Sequence, residues 1–268
     1  MHSDLIISTK LTASGKTQLD RCFVSPPFKL LTLPATYTTS WHNELNAVQM
    51  SSSPGLLGGD RLNVRVSLAP KTSLSLSTQA FTRVQAMNHN GYAEQNTHIQ
   101  LAPDSRLFYL PHPLVLHKES AFKQTTLIEL SERNQLIYGE IIAVGRILNH
   151  EQFAFRHFSS YLRIVSQGKP LLSDRIQWQP QSMPLTALSQ MEDFTHQGTL
   201  VYINLSFSEQ QLKKLTNELQ AEFSSTPQLM LGISQLNQNG ILIRSVGYRA
   251  ENIEKSFKYI ADMLKVQT

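Results

Sequence analysis

One cysteine, Cys22, stands in the whole 268-residue chain, so neither an intrachain disulfide framework nor a cysteine-based zinc cluster can form. Set beside Phe23, Cys22 reads as a small buried hydrophobe rather than a reactive thiol. Long apolar runs are missing too. None approaches the ~20 residues needed to cross a bilayer. The first residues, Met1-His2-Ser3-Asp4-Leu5-Ile6-Ile7, lack the basic stretch and apolar run of a secretory signal. A cytoplasmic protein with no membrane partner is expected. Charged residues are few, 16% of the chain, while Ser, Thr, Asn and Gln are plentiful, a balance of β proteins with polar faces. The formal charge of +4 is scattered, with Lys213-Lys214 as its longest cluster. Nucleic-acid binding needs basic residues gathered on one face or stripe, so no nucleic acid is expected as a partner.

Assembled catalytic motifs are equally scarce. There is no His-Glu-x-x-His and no Gly-x-Ser-x-Gly. The nine histidines are dispersed, and neither His112/His117 nor His150/His157 has the spacing of a known ligand pair.

What is present begins with Ser53-Pro54-Gly55-Leu56-Leu57-Gly58-Gly59-Asp60-Arg61. Three glycines in five positions require positive φ or a close backbone approach. The residues that follow alternate, Leu62, Val64, Val66 and Leu68 against Asn63, Arg65 and Ser67, which is the period of a strand. A phosphate-binding loop would need a lysine where Asp60 stands and a helix after it. The stretch is therefore a glycine turn that delivers an aspartate to the start of a strand. Asp60 either accepts turn amide hydrogens or is a functional carboxylate.

From residue 4 to about 180, short strand patterns follow one another. Residues 5–12 and 17–24 flank Ser14-Gly15, and residues 161–166 and 171–178 flank Gln167-Gly168-Lys169-Pro170, as in hairpins. Between them lies an internal repeat. Val66-Ser-Leu68-Ala-Pro-Lys-Thr-Ser-Leu74 aligns with Ile99-Gln-Leu101-Ala-Pro-Asp-Ser-Arg-Leu107, and again with Ile128-Glu-Leu130-Ser-Glu-Arg-Asn-Gln-Leu136, where the turn is weaker. Each unit is strand, tight turn, strand. Units of this period that cannot bury their own apolar face stack on one another. The expected fold is mainly β: a stacked-hairpin, β-helix-like body over 1–180, with its repeat at about 61–145. Leu74, Leu107 and Leu136 should share one interior stripe.

A connection over 181–199 leads to a different pattern in 200–268. Ser208 with Gln211 makes a capping box ahead of Leu212, Leu215, Leu219 and Phe223. Two strands joined through Asn239-Gly240 come next, and Ile253, Phe257, Ile260 and Leu264 mark a closing helix. This is a small α-β-β-α lobe, expected to pack on the body as one structural unit.

If the units stack, Thr78, Gln79, His112 and Glu140 fall along one edge of the body. Such a polar lane is costly unless its groups are hydrogen-bonded or wet. Glu140 lies in the otherwise apolar run Leu136-Ile-Tyr-Gly-Glu140-Ile-Ile-Ala-Val-Gly-Arg146 and is either paired, with Arg146 as the nearest cation, or functional. His112 is held in an extended segment by Pro111 and Pro113, and alone reads as structural. With no assembled nucleophile or cofactor loop, a binding or scaffold protein is favoured over an enzyme.

The ordered motifs Ser25-Pro26-Pro27-Phe28-Lys29-Leu30, Ser53 to Asp60, Ser77-Thr78-Gln79-Ala80 with Arg83-Val84, Leu110-Pro111-His112-Pro113, Glu140 to Arg146, and Phe153 with Phe155 resemble the urease accessory protein UreD family, also called UreH. The specific motifs cover essentially residues 1–180, and the remainder agrees in length and layout. The resemblance implies a β-helix-like fold and a non-enzymatic metallochaperone scaffold. Its partners would be apo-urease, a UreF-like protein and, through it, a UreG-like GTPase. Its role would be delivery of nickel, with carbon dioxide for lysine carbamylation, to the urease active site. An internal channel is proposed for the family. Asp60 and Glu140 are then candidate carboxylates of a transient nickel path, with Thr78, Gln79 and His112 as candidate lining and no tightly bound cofactor. A conduit must release its ion, and sparse carboxylates, hydroxyls and amides hold a divalent cation less firmly than a ring of imidazoles and thiolates. The alternatives are a β-solenoid hydrolase, for which only Asp60 and Glu140 stand out as a carboxylate pair, or an interaction module unrelated to urease.

Overall fold

The structure is a computed structural model describing residues 1–34, 41 and 43–267. Residues 35–40 and 42, within the expected body, and 268, at the end of the expected lobe, lie outside the described residues. The chain opens with β1 (His2–Leu11) and β2 (Thr17–Val24), antiparallel around Ser14-Gly15, and continues with β3 (Phe28–Leu33) and β4 (Glu44–Ser51), also antiparallel. Three coils follow: β5 (Arg61–Leu68), β6 (Ser73–Thr78) and short β7 (Thr82–Val84); β8 (Ala93–Leu101), β9 (Arg106–Leu110) and short β10 (Leu114–Leu116); then β11 (Ala121–Leu130) and β12 (Gln135–Ala143). Next come β13 (His157–Ser166), β14 (Lys169–Trp178), β15 (His196–Asn204), α1 (Glu209–Glu222), β16 (Leu229–Gln235), β17 (Gly240–Gly247) and α2 (Ala250–Val266).

The molecule is a mainly β stack of coils, as the repeat requires. Within a coil the two long strands lie in opposite sheets, and each pairs in parallel with its counterpart in the next coil. One sheet runs β14-β13-β11-β8-β5-β1-β2, the other β16-β17-β15-β12-β9-β6-β4-β3. The repeat spacing becomes register: Leu68 pairs with Leu101 and Leu101 with Leu130, while Leu74 pairs with Leu107 and Leu107 with Leu136. Leu74, Leu107 and Leu136 are fully buried and form the expected interior stripe.

The four-residue turns between the two long strands of each coil repeat as well. Lys71, Asp104 and Arg133 all take positive φ, 61°, 60° and 51°, so the third turn keeps the shape despite its altered sequence. The next residue in each turn, Thr72, Ser105 or Asn134, is fully buried. Thr72 and Ser105 hydroxyls donate to the carbonyls of Ala69 and Ala102, both at 2.7 Å, and Asn134 Oδ1 accepts the Ser131 N–H at 2.6 Å. Asn134 Nδ2 also reaches back one coil to the Ala102 carbonyl at 2.7 Å. The polar ends of the arches are thus satisfied from coil to coil.

The second sheet continues past the coils through antiparallel β15, β17 and β16. Both helices cover its outer face there, burying Ile137, Ile141, Leu200 and Ile243 against Leu212, Leu215, Ile253, Phe257 and Ile260. This is why β12 reads as a nearly continuous apolar run: it is a central strand covered on both faces. The Ser208 capping box forms, with Ser208 N–H donating to Gln211 Oε1 at 2.9 Å. Cys22, expected to be buried, is exposed, because β2 is the outermost strand of its sheet. Among the described residues, no helix is long and apolar enough to cross a membrane.

Candidate functional site

Register decides where the space between the sheets is apolar and where it is polar. Moving along the strands from the buried leucines, the first sheet contributes Val66, Ile99, Ile128 and Ile164, then Val64, Thr97, Thr126 and Leu162, then Leu62, Gln95, Gln124 and Ser160. The facing sheet changes in step, from Leu74, Leu107 and Leu136 to Leu76, Tyr109 and Tyr138, then to Gln49, Thr78 and Glu140. One end of the sandwich is therefore hydrocarbon and the other is lined with amides, hydroxyls and a carboxylate.

That polar end holds a cavity of about 50 Å³ between the sheets, whose walls include Gln49, Thr78, Gln95, Tyr109, His112, Gln124, Tyr138 and Glu140. Its size and its donors suit a few water molecules. It adjoins a wider cleft of about 180 Å³, and Gln49, Thr78, Thr82 and Gln95 line both. Gln79, Phe81 and Arg83 lie on the cleft side.

Among the described residues, Glu140 is the one carboxylate of the cavity wall. Its Oε1 accepts the Tyr138 hydroxyl at 2.6 Å, and its Oε2 accepts Gln124 Nε2 at 2.9 Å and the Ser160 hydroxyl at 3.3 Å. Burial pushes its pKa above the ordinary glutamate range, against the lowering effect of these three donors, with Asp174 adding a smaller upward push. Tyr138 and Tyr109 are likewise held protonated, by burial first and then by the Glu140 charge, so both face the cavity as hydroxyls. Arg146 does not pair with Glu140. Its guanidinium turns to Glu151, with Nε 2.8 Å from Oε2, because β12 ends before Arg146 and the chain folds back on itself there.

Thr78 and His112 reach the same cavity, joined by the His112 N–H donating to Thr78 Oγ1 at 2.8 Å. Gln79 is exposed and faces the cleft. Asp60 is elsewhere. Its Oδ1 takes the Met1 amino group at 3.0 Å and its Oδ2 the Leu57 N–H at 2.8 Å, while Gly59 supplies the positive φ of 87° that the turn needs. The structure thus brings Thr78, His112 and Glu140 together, sets Gln79 next to them and separates Asp60. Sequence reasoning passed over Gln95 and Gln124, yet the repeat contained them: each stands six residues before its coil's leucine, Leu101 or Leu130. Ser160 carried no such signal.

Fold and cavity together define a β-solenoid protein with a polar compartment at one end of its core. The chain belongs to the UreD family: the family model described as UreD urease accessory protein matches residues 3–268. It is similar to the urease accessory protein UreD of Actinobacillus pleuropneumoniae serotype 5b (strain L20), at 59% identity over 268 residues, covering 100% of this chain and 99% of that one. It is also 56% identical over 270 residues to the protein of the same name from Haemophilus influenzae (strain PittGG), covering 99% of each chain.

Proposed function

We propose that this chain is a cytoplasmic, non-enzymatic scaffold of urease maturation that binds apo-urease and a UreF-like protein, and through the latter a UreG-like GTPase. In this reading the cavity is a stage on the path by which nickel passes to urease. The observation that carries it is Glu140. A glutamate held among three neutral donors, with no cation beside it among the described residues, is an unbalanced charge whose ionised form is costly to keep dry. A passing divalent cation and its waters would offset that cost. The lining of amides and hydroxyls from Gln49, Thr78, Gln95 and Gln124 replaces water ligands without gripping the ion. Asp60, with both oxygens engaged, serves in this reading as the anchor of the glycine turn.

The test is to co-express the chain with apo-urease and the UreF-like and UreG-like proteins, measuring complex assembly and urease nickel together. Glu140→Gln keeps shape and removes charge. It should leave assembly intact and lower urease nickel and activity several-fold, whereas Asp60→Asn should loosen the turn and reduce assembly itself. Full nickel loading with Glu140→Gln would end the conduit role. Failure of the native chain to assemble with any of these proteins would end the scaffold reading.

A further inference from the structure

The two sheets end unevenly. Arg244 of β17 reaches Asp174 of β14 at 2.7 Å, so β17 lies opposite β14, the last strand of its own sheet. β16 extends the other sheet by one more strand and has no strand opposite it. Its inner face shows the consequence: Met230, Gly232 and Ser234 are exposed, while Leu229, Leu231 and Ile233 turn to the helices. A groove of about 410 Å³ opens at this overhang, walled by Trp178, Met191, Met230, Gly232, Arg244 and Val246. A Cβ placed on Gly232 would meet nothing within 4 Å, so the space above it is open. The outer edges of β14 and β16 also differ. On β16, Gln220 Nε2 donates to the Ile233 carbonyl at 2.8 Å and Ser225 Oγ accepts the Leu231 N–H at 3.0 Å, so side chains occupy outward backbone groups. β14 has no strand on its outer side, and among the described residues no side chain caps its backbone. Lys169 and Pro170 guard only its first two positions. Beyond them, an added strand, about 4.8 Å from β14 and about 10 Å from the facing sheet, would lie under β16.

From this mismatch we infer that β14 is a docking edge for one extended segment of a partner protein, which pairs with it through main-chain hydrogen bonds and fills the place opposite β16. The surroundings define the segment's chemistry. Its inward side chains meet Trp178, Met230, Val246 and the open space over Gly232, a setting for large apolar residues. Its outward side chains lie beside Arg175, which is exposed on the outer face of β14 with its guanidinium 4.8 Å from the Tyr161 ring centroid, and near Arg163 on β13. Asp174, the one acid of β13 and β14, points the other way, to Arg244. The outer face of this edge is therefore basic, and the complementary segment carries acidic residues at alternate positions. A second copy of the chain does not fit. Pairing two β14 strands antiparallel about a two-fold axis sets each copy's β17 where the other's β16 lies. The inference is independent of the function proposed above, which assigns nothing to this edge.

The test is a titration of the full-length chain with a fluorescein-labelled peptide of about eight residues that alternates glutamate with leucine, phenylalanine and valine. Fluorescence anisotropy reads binding and amide hydrogen exchange reads its place. Binding should saturate and slow exchange in β14. Two further peptides carry N-methyl groups at every second residue, in opposite phases. Only one edge of an added strand bonds to β14, so one phase should lose binding and the other keep it. These peptides need no variant of the chain, so the test holds even where a substitution disturbs the fold. Gly232→Leu, which fills the groove from an open position, should weaken binding about tenfold or more. Arg175→Glu should weaken it several-fold and favour a counterpart with lysine in place of glutamate. Absence of exchange protection in β14, or equal binding of the two methylated peptides, would overturn the docking edge. Dimerisation of the native chain in sedimentation velocity, abolished by Gly232→Leu, would overturn the choice of occupant and put a second copy there.

Discussion

At the scale of single residues, the cavity is a matter of which groups a carboxylate can call on. Glu140 finds its donors in other strands, 16 and 20 residues away at Gln124 and Ser160, and in Tyr138 two residues before it. The consequence is measurable against pH. Because its folded-state pKa lies above the ordinary value, the folded chain binds this proton more tightly than the unfolded chain. The stabilisation is therefore full below the unfolded value and is lost as pH rises through the folded one. Glu140→Gln removes the dependence. Its stability relative to the native chain should rise as pH climbs above the ordinary glutamate range, read by urea unfolding at each pH. A difference that stays flat would mean that the carboxylate is solvated like a surface group. His196, whose pKa burial lowers to about 4, gives the opposite slope, so the comparison is made between variants at one pH. The sequence marked Glu140 as unusual through its apolar neighbours. It could not name its partners, because they are set by register between coils, and Arg146, nearest along the chain, was the wrong choice.

At the scale of elements, the leucine spacing was enough to show that the units stack, since a six-residue step across a four-residue turn can repeat only if each coil meets the next in phase. Whether each unit's two strands bond to one another or face one another across a core was not legible, because a tight turn reverses the chain in both cases. The seat of α2 was half legible: its apolar face could be read at helical spacing, but not the strands that receive it. The helix lies across β12, β15 and β17, and Gly198 of β15 makes room. A Cβ at Gly198 would lie 2.6 Å from Ile253 Cγ2 and 2.8 Å from Phe257 Cζ, both on α2. Gly198→Ala should therefore push the helix off the sheet and cost roughly 1–3 kcal/mol by overpacking, seen as a lowered urea midpoint and faster amide exchange confined to α2. Exchange unchanged in α2 would mean that the sheet, not the helix, takes up the strain.

At the scale of the whole molecule, the last helix is tied to β4, the strand ahead of the coils. Lys265 Nζ meets Glu44 Oε1 at 2.7 Å, and the two residues are 221 apart in sequence. Both are buried, and the ammonium also lies 4.9 Å from the Trp41 ring centroid and 4.5 Å from that of Phe108. No local pattern announces such a pair: a lysine near the end of a helix reads as a solvated charge, and only the course of the second sheet brings β4 and α2 together. Burial raises the Glu44 pKa while Lys265 opposes it, so the carboxylate depends on its partner to stay charged. Removing one member strands the other. Lys265→Met should cost about 3–5 kcal/mol, whereas the double variant Lys265→Met with Glu44→Leu should recover most of that loss, since an apolar pair of similar volume avoids the desolvation of both charges. Urea unfolding of the single and double variants gives the coupling directly. If the single variant unfolds like the native chain, the pair is not what holds α2 across the coils, and the continuous sheet from β4 to β17 must do so alone.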